Sequence, residues 1–223
     1  MKHLFISFVA FVLVLFAQTT PVQAQSLSRL IDKGISAASS KISEKTVKID
    51  AIPQSVEEFE QLQLQVAQEP EGAVMMVIVA MEMYHKDHAM GEECIRLANV
   101  DINFGSMFRR VKELYNSEDQ YYGRPYQAAA FFKGAKPSNG YNPTKPYTIR
   151  VRPNPTRKDE RSSSLRGYVK HIEVYSDGFD THWRNVEVVK QKGCDVYKVS
   201  NCPSIYTQCK EIDFETDDEF QGL

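Results

Sequence analysis

His85, His88 and Glu92 carry side chains that ligate transition metals, and offsets of three and seven residues place them near one face of a helix that runs unbroken through Gly91. Two imidazoles and a carboxylate could hold a metal ion, with His171, His182, Asp177 or Asp180 completing the shell. The chemistry would be metal-dependent hydrolysis. Two features oppose it. Gly91 disfavours a continuous helix, and the pattern lacks the H-E-x-x-H glutamate that serves as catalytic base. The competing reading is a polar helix end, where His85 and Lys86 face the negative pole of the helix.

Other catalytic sets are incomplete. Ser162, Ser163 and Ser164 fall in a charged stretch with no G-x-S-x-G elbow. Glu173, Asp177 and Asp180 could divide acid and base roles, but aspartates at a turn more often bond their own backbone. No cofactor is expected. The aromatic group Tyr121, Tyr122, Tyr126, Tyr141 and Tyr147 is a stronger lead, because it lies in Gly/Pro-rich segments where side chains need not all enter a core. Tyrosine joins an apolar ring to a hydroxyl, the combination used at sugar- and protein-binding surfaces. Tyr122, Tyr126, Tyr141 and Tyr147 are therefore the expected binding residues, although the same rings could seal loops onto the core. Trp183, which follows His182, reads as a core aromatic.

The setting of these residues follows from the chain's ends, charge and cysteines. Lys2 and His3 precede an apolar run from Leu4 to Ala17, and Val22-Gln23-Ala24 offers small residues for cleavage, the pattern of an export signal over residues 1–24. The run is too short for a permanent membrane anchor. Cleavage after Ala24 leaves 199 residues with 26 basic and 29 acidic side chains, so the mature product is expected to be periplasmic or extracellular and nearly neutral. No long-range field favours nucleic acid. The basic run Arg150, Arg152, Arg157, Lys158, Arg161 and Arg166 is interrupted by Asp159 and Glu160 and reads as a solvated loop. Cys94, Cys194, Cys202 and Cys209 permit two bridges in an oxidising compartment; Cys202–Cys209 is favoured by closeness, leaving Cys94 for Cys194.

Residues 25–52 read as an N-terminal segment or linker, with a loose helical pattern from Leu27 to Ile42. Ser55 to Glu58 forms a capping box before the stripe Val56, Phe59, Leu62 and Val66. Pro70 and Gly72 are expected to end that helix, and Ala73 to Met83 to begin another, apolar on nearly every side and running to Lys86. A break near Gly91 precedes a helix over Glu92 to Ala98, and Met107 to Tyr115 supplies one more. Prolines and glycines then dominate, with only Tyr126 to Phe132 helical. Tyr147–Arg152, Gly167–Tyr175, Trp183–Lys190 and Cys194–Val199 alternate as strands joined by short turns. Helices followed by strands predict an α+β fold, N-terminal helices packed on a C-terminal antiparallel meander, as a single domain over 53–212 before an acidic tail, 213–223.

The stretch Phe131-Phe132-Lys133-Gly134-Ala135-Lys136-Pro137-Ser138-Asn139-Gly140-Tyr141-Asn142-Pro143, continued by Lys145-Pro146-Tyr147 and the later Tyr175-Ser176-Asp177-Gly178 turn, resembles an uncharacterised family of small secreted bacterial proteins known only as a domain of unknown function. The resemblance spans about Pro53 to Ile212 and implies one domain, with no functional residue to carry over. The sequence therefore points to an exported, non-enzymatic domain that binds a protein or glycan, with a metal-dependent hydrolase using His85 and His88 as the alternative.

Overall fold

A computed structural model of the chain describes residues 43–100, 104–116, 118 and 122–213. The expected leader, the helical pattern before Ile42 and the acidic residues after Asp213 lie outside these. Strand β1 (Lys45–Ile49) is followed by helices α1 (Val56–Val66), α2 (Pro70–Lys86), α3 (His88–Ala98) and α4 (Phe104–Leu114). Two single-turn 3₁₀ segments, Ala129–Phe131 and Pro137–Asn139, interrupt the loops that follow. Strands β2 (Tyr147–Pro153), β3 (Glu160–Ser162), β4 (Gly167–Tyr175), β5 (Trp183–Gln191) and β6 (Lys198–Asn201) complete the chain. The architecture is α+β: helices pack against an antiparallel sheet that does not close into a barrel.

Helix α1 starts where the capping box predicts. Ser55 Oγ accepts from the Glu58 amide at 3.2 Å, and Glu58 reaches back to the amide of Gln54 at 2.8 Å. Its stripe packs inward with Phe59 fully buried. Helix α2 is the centre of the molecule. Every residue from Pro70 to Met81 is buried, because one side of the helix meets the sheet and another meets α1 and α3.

Pro70 opens α2 rather than ending α1, since at the first helical position its missing N–H is not needed. Gly72 belongs to the first turn of α2, where a Cβ would lie 1.7 Å from the Val66 carbonyl oxygen. The glycine permits the tight corner between the two helices. The next break falls at Asp87 and not at Gly91. Asp87 leaves helical geometry and caps α3 by accepting from the Met90 amide at 2.9 Å. Gly91 lies inside α3, with space for a Cβ denied by Tyr84 Cα at 2.0 Å, so α2 and α3 approach backbone to backbone.

The sheet order is β1-β2-β4-β5-β6, with β3 also paired to β4. β2 pairs with β4 through Val151–Val174 and Pro153–Ile172, and β3 continues in the same direction through Glu160–Val169 and Ser162–Gly167. Together they form one interrupted strand along β4. Residues 154–159 loop out between them, pinned by the Asn154 amide to the His171 carbonyl at 2.8 Å and by the His171 amide to Asp159 at 3.2 Å. The basic run expected to be a solvated loop thus contributes Arg161 to a strand.

β1 was not expected before Pro53. It pairs with β2 from Lys45–Val151 to Ile49–Tyr147, and Lys45 bonds the buried Glu71 of α2 at 2.7 Å. The last strand is β6, later and shorter than the predicted Cys194–Val199, because Lys192 to Tyr197 form a turn and a crossing to α1, where the Tyr197 amide bonds the Ala67 carbonyl. Among the described residues, no helix is long and apolar enough to cross a membrane.

Candidate functional site

The loops from Arg124 to Tyr147 are held by the C-terminal segment that follows β6. Gln127, fully buried, donates its amide to the carbonyls of Ile205 and Thr207, both at 2.7 Å, and its carbonyl accepts from the Cys209 amide at 2.9 Å. Arg124 donates to the Cys209 carbonyl and pairs with Glu211 at 2.8 Å. The Tyr141 hydroxyl donates to the Lys210 carbonyl at 2.8 Å. These bonds turn a Gly/Pro-rich stretch with little regular structure into a fixed wall.

That wall and the end of α2 enclose a cleft of about 450 Å³, lined by Glu82, His85, Pro125, Tyr126, Phe132, Asn142, Tyr147 and their neighbours. Three of the four tyrosines singled out in the sequence meet here. Tyr141 is 2% exposed and sits at φ +56°, directly after Gly140 at φ +63°. Tyr126 stacks on it with centroids 4.9 Å apart and planes 12° from parallel. Tyr141 is therefore the support and Tyr126 the half-exposed ledge. Tyr147 is half-buried and leans on Phe132 at 5.1 Å. Tyr122 stands apart: 59% exposed, it lines a smaller depression with Arg110, Glu113 and Tyr206.

Glu82 and His85 add polarity to the cleft. They lie three residues apart on α2, so both project on the same side. Burial raises the Glu82 carboxyl above its ordinary range, with Lys86 opposing the shift. His85 is lowered, chiefly by desolvation and then by Lys86 and His88. The sequence offers His85 as a metal ligand or as part of a polar helix end, and Glu82 is not among its candidates. The signal was present, since Glu82 is the sole charged residue between Glu71 and His85 on a helix otherwise buried almost throughout.

The expected metal set does not assemble on one helix. The Asp87 break assigns His85 to α2, and His88 and Glu92 to α3. His88 stacks on Tyr84 with centroids at 4.5 Å, and Glu92 pairs with Arg96 at 3.3 Å. Among the described residues, no group of three or more His, Cys, Asp or Glu side chains is placed to hold a metal ion. The other acidic candidates are engaged one by one: Glu173 with Arg152 at 2.7 Å, Asp177 with the Tyr175 hydroxyl at 2.7 Å, and Asp180 with Lys210 at 2.8 Å.

All four cysteines are free thiols, so neither of the expected bridges, Cys202–Cys209 and Cys94–Cys194, is formed. Cys202 instead donates to the Tyr206 hydroxyl at 3.1 Å. Burial pushes the thiols of Cys94, Cys202 and Cys209 up to about 12, which keeps them protonated and unreactive at neutral pH. Cys194 alone is exposed.

Trp183 is not a core residue. It sits half-buried on the sheet face away from α2, edge-on to Tyr175 at 5.3 Å, with the Arg152 guanidinium 4.0 Å above its ring. Arg150 covers Tyr175 at 4.1 Å and pairs with Glu44 at 2.8 Å. These cation–π contacts cover the Trp183 and Tyr175 rings with the two guanidinium groups.

The model of one protein family, described as a Domain of unknown function (DUF6935), matches residues 51–213, well over half of the chain. Comparison with curated proteins and with solved structures gives no match.

Proposed function

Taking as premise that the chain belongs to the DUF6935 family, whose description assigns no activity, we propose that it is an exported, non-enzymatic binding domain that takes a neutral glycan in the tyrosine cleft. One observation carries the reading: Tyr126, backed by the stacked and buried Tyr141, faces a recess also bounded by Tyr147 and Phe132. A rigid ring ledge suits the apolar face of a sugar, and it costs little entropy on binding because its neighbours already hold it. The exposed Asn142 amide, which makes no hydrogen bond through its side chain among the described residues, supplies a donor and an acceptor at the rim. Glu82 and His85 supply polar groups on the opposite wall. A protein segment carrying an exposed aromatic or proline is the other class of ligand that such a recess would take.

The test is an array of neutral oligosaccharides probed with the full chain, with Tyr126→Ala and Tyr147→Ala as variants. Both rings are half-buried and pack against the core, so each variant should stay folded with a melting temperature lowered by a few degrees. Retention of one glycan class by the wild type and its loss in both variants supports the reading. Absence of glycan retention, or equal retention by all three proteins, overturns it. The hydrolase alternative gains no support from His85 and His88, which lie on different helices and belong to no group of three metal-ligating side chains among the described residues. Export is tested apart: secreted material should begin at Gln25 by mass spectrometry, and an intact Met1 terminus would refute cleavage after Ala24.

A further inference from the structure

At the other end of β4 from the tyrosine cleft, the strand register builds a second recess. Arg161 on β3 lies opposite Tyr168 on β4, and Tyr168 lies opposite Lys190 on β5. Residues directly opposed across an antiparallel pair point to the same face, so the three side chains form one row, an aromatic ring flanked by two cations. Beyond the row the chain turns through Ser163 to Arg166, closed by the Arg166 amide to the Ser163 carbonyl at 3.2 Å. Arg166 occupies the left-handed region at φ +52°, and its carbonyl accepts from the Lys192 amide at 3.0 Å, bringing the two chain turns side by side. Gly167 makes this closeness possible, since a Cβ there would fall 2.5 Å from the Lys190 carbonyl oxygen. The resulting open cleft, about 560 Å³, is lined by Arg161, Ser162, Arg166, Tyr168, Lys190 and Lys192 with two neighbours, none of them acidic.

The five arginines of the basic run read as a single solvated loop therefore divide into two populations. Arg150, Arg152 and Arg157 are paired with Glu44, Glu173 and Glu187. Arg161 and Arg166 have no carboxylate partner among the described residues, and neither do Lys190 and Lys192, which the sequence places more than twenty residues away. The nearby Asp159 is already engaged by Lys170 at 3.1 Å and by the His171 amide. Four converging cations without counter-charge, with the Ser162 and Ser163 hydroxyls beside them, match the donor set that tetrahedral oxyanions require.

We propose that this cleft binds a compact, soluble ligand bearing two or more phosphate or sulfate groups. Two groups are required because the cations stand as two pairs, Arg161 with Lys190 across Tyr168, and Arg166 with Lys192 at the turns. Compactness follows from the charge of the whole chain, formally −2, which provides no long-range attraction for an extended polyanion or an anionic membrane. Tyr168, 51% exposed, gives the ligand's carbon skeleton a ring to lie on.

The experiment is calorimetric titration of the full chain with inorganic tripolyphosphate and, separately, with a sulfated disaccharide, at two salt concentrations. At least one is expected to bind, with affinity falling as salt rises. Arg161→Ala and Lys190→Ala should each weaken binding about tenfold, the effect of removing one charge-assisted bond. Both side chains are exposed and have no carboxylate partner among the described residues, and Lys190 has only the Tyr197 ring 5.8 Å from its ammonium, so the melting temperature should move little. Arg157→Ala changes net charge equally but removes a cation already paired with Glu187, and it should leave affinity unaltered. Absence of binding by both probes, equal weakening by Arg157→Ala, or binding only to vesicles of anionic lipid would each overturn the proposal. Because the variants lie outside the tyrosine cleft, neutral-glycan binding tests that cleft independently.

Discussion

Replacing Tyr141 separates the support of the binding ledge into a ring, a hydroxyl and a backbone geometry. Tyr141→Phe keeps the ring against Tyr126 and removes the hydroxyl, with its 2.8 Å bond to the Lys210 carbonyl and its contact with the Cys209 thiol. Losing one partly buried hydrogen bond costs about 1–2 kcal/mol. For a domain of this size each kcal/mol corresponds to about 2–4 °C, so the melting temperature should fall by about 2–8 °C. Tyr141→Ala also deletes a fully packed ring and should cost about 3–5 kcal/mol. Both variants retain a Cβ at φ +56°, where the left-handed backbone costs about 1–2 kcal/mol. Tyr141→Gly releases that strain, offsetting the extra freedom of glycine in the unfolded chain, and should be at least as stable as Tyr141→Ala. Urea denaturation of the three variants gives the comparison directly. A Tyr141→Gly protein less stable than Tyr141→Ala by about 1 kcal/mol or more would refute the left-handed support, and an unchanged Tyr141→Phe would refute the Lys210 anchor.

The raised Glu82 carboxyl fixes the sign of a pH effect. A group whose folded pKa lies above its unfolded value stabilises the fold while protonated and loses that contribution as pH rises from the ordinary glutamate range through the elevated folded value. Glu82→Gln should therefore gain stability relative to wild type between about pH 4 and pH 7; urea midpoints that move in parallel over that interval would contradict the assignment. Two glycines should respond oppositely to alanine. Gly91→Ala forces a Cβ to within 2.0 Å of Tyr84 Cα and should cost about 3 kcal/mol or more, whereas Gly105→Ala, with nothing within 4 Å, should stabilise by about 0.4–1 kcal/mol. Alkylation of native protein at neutral pH should label Cys194 alone, and Cys94, Cys202 and Cys209 only after unfolding, as read by peptide mass spectrometry. Rapid native labelling of any buried thiol would show that its surroundings open.

Local pattern revealed the elements whose partners are near or whose burial is complete. The Ser55 cap, the apolar run of α2 and the β4–β5 alternation follow from spacing alone, because each is decided within a few residues. The position of Trp183 was also readable, since it shares alternation with Asn185 and Glu187 and opposes the buried Val186 and Val188; its size suggested the core instead. β1 was hidden because its five residues become a strand only against β2, about a hundred positions later. The tyrosine cleft was half legible. Tyr126, Tyr141 and Tyr147 announced themselves by composition, but Glu82 enters from a helix and Tyr122 is diverted elsewhere. The cationic row was not legible, as Arg161, Tyr168 and Lys190 align only once the register of three strands is set.

Helix α2 touches β1, β2, β4, β5 and β6 while also meeting α1 and α3. Peeling any of these away bares methionine and valine side chains to water, so partial opening is penalised from every direction and the assembly behaves as one cooperative block. Amide protons in the middle turns of α2 should then exchange with deuterium only when the whole block opens. Their protection would report total folding free energy, leaving the rim of the tyrosine cleft, built from loops, free to adjust without loosening the centre.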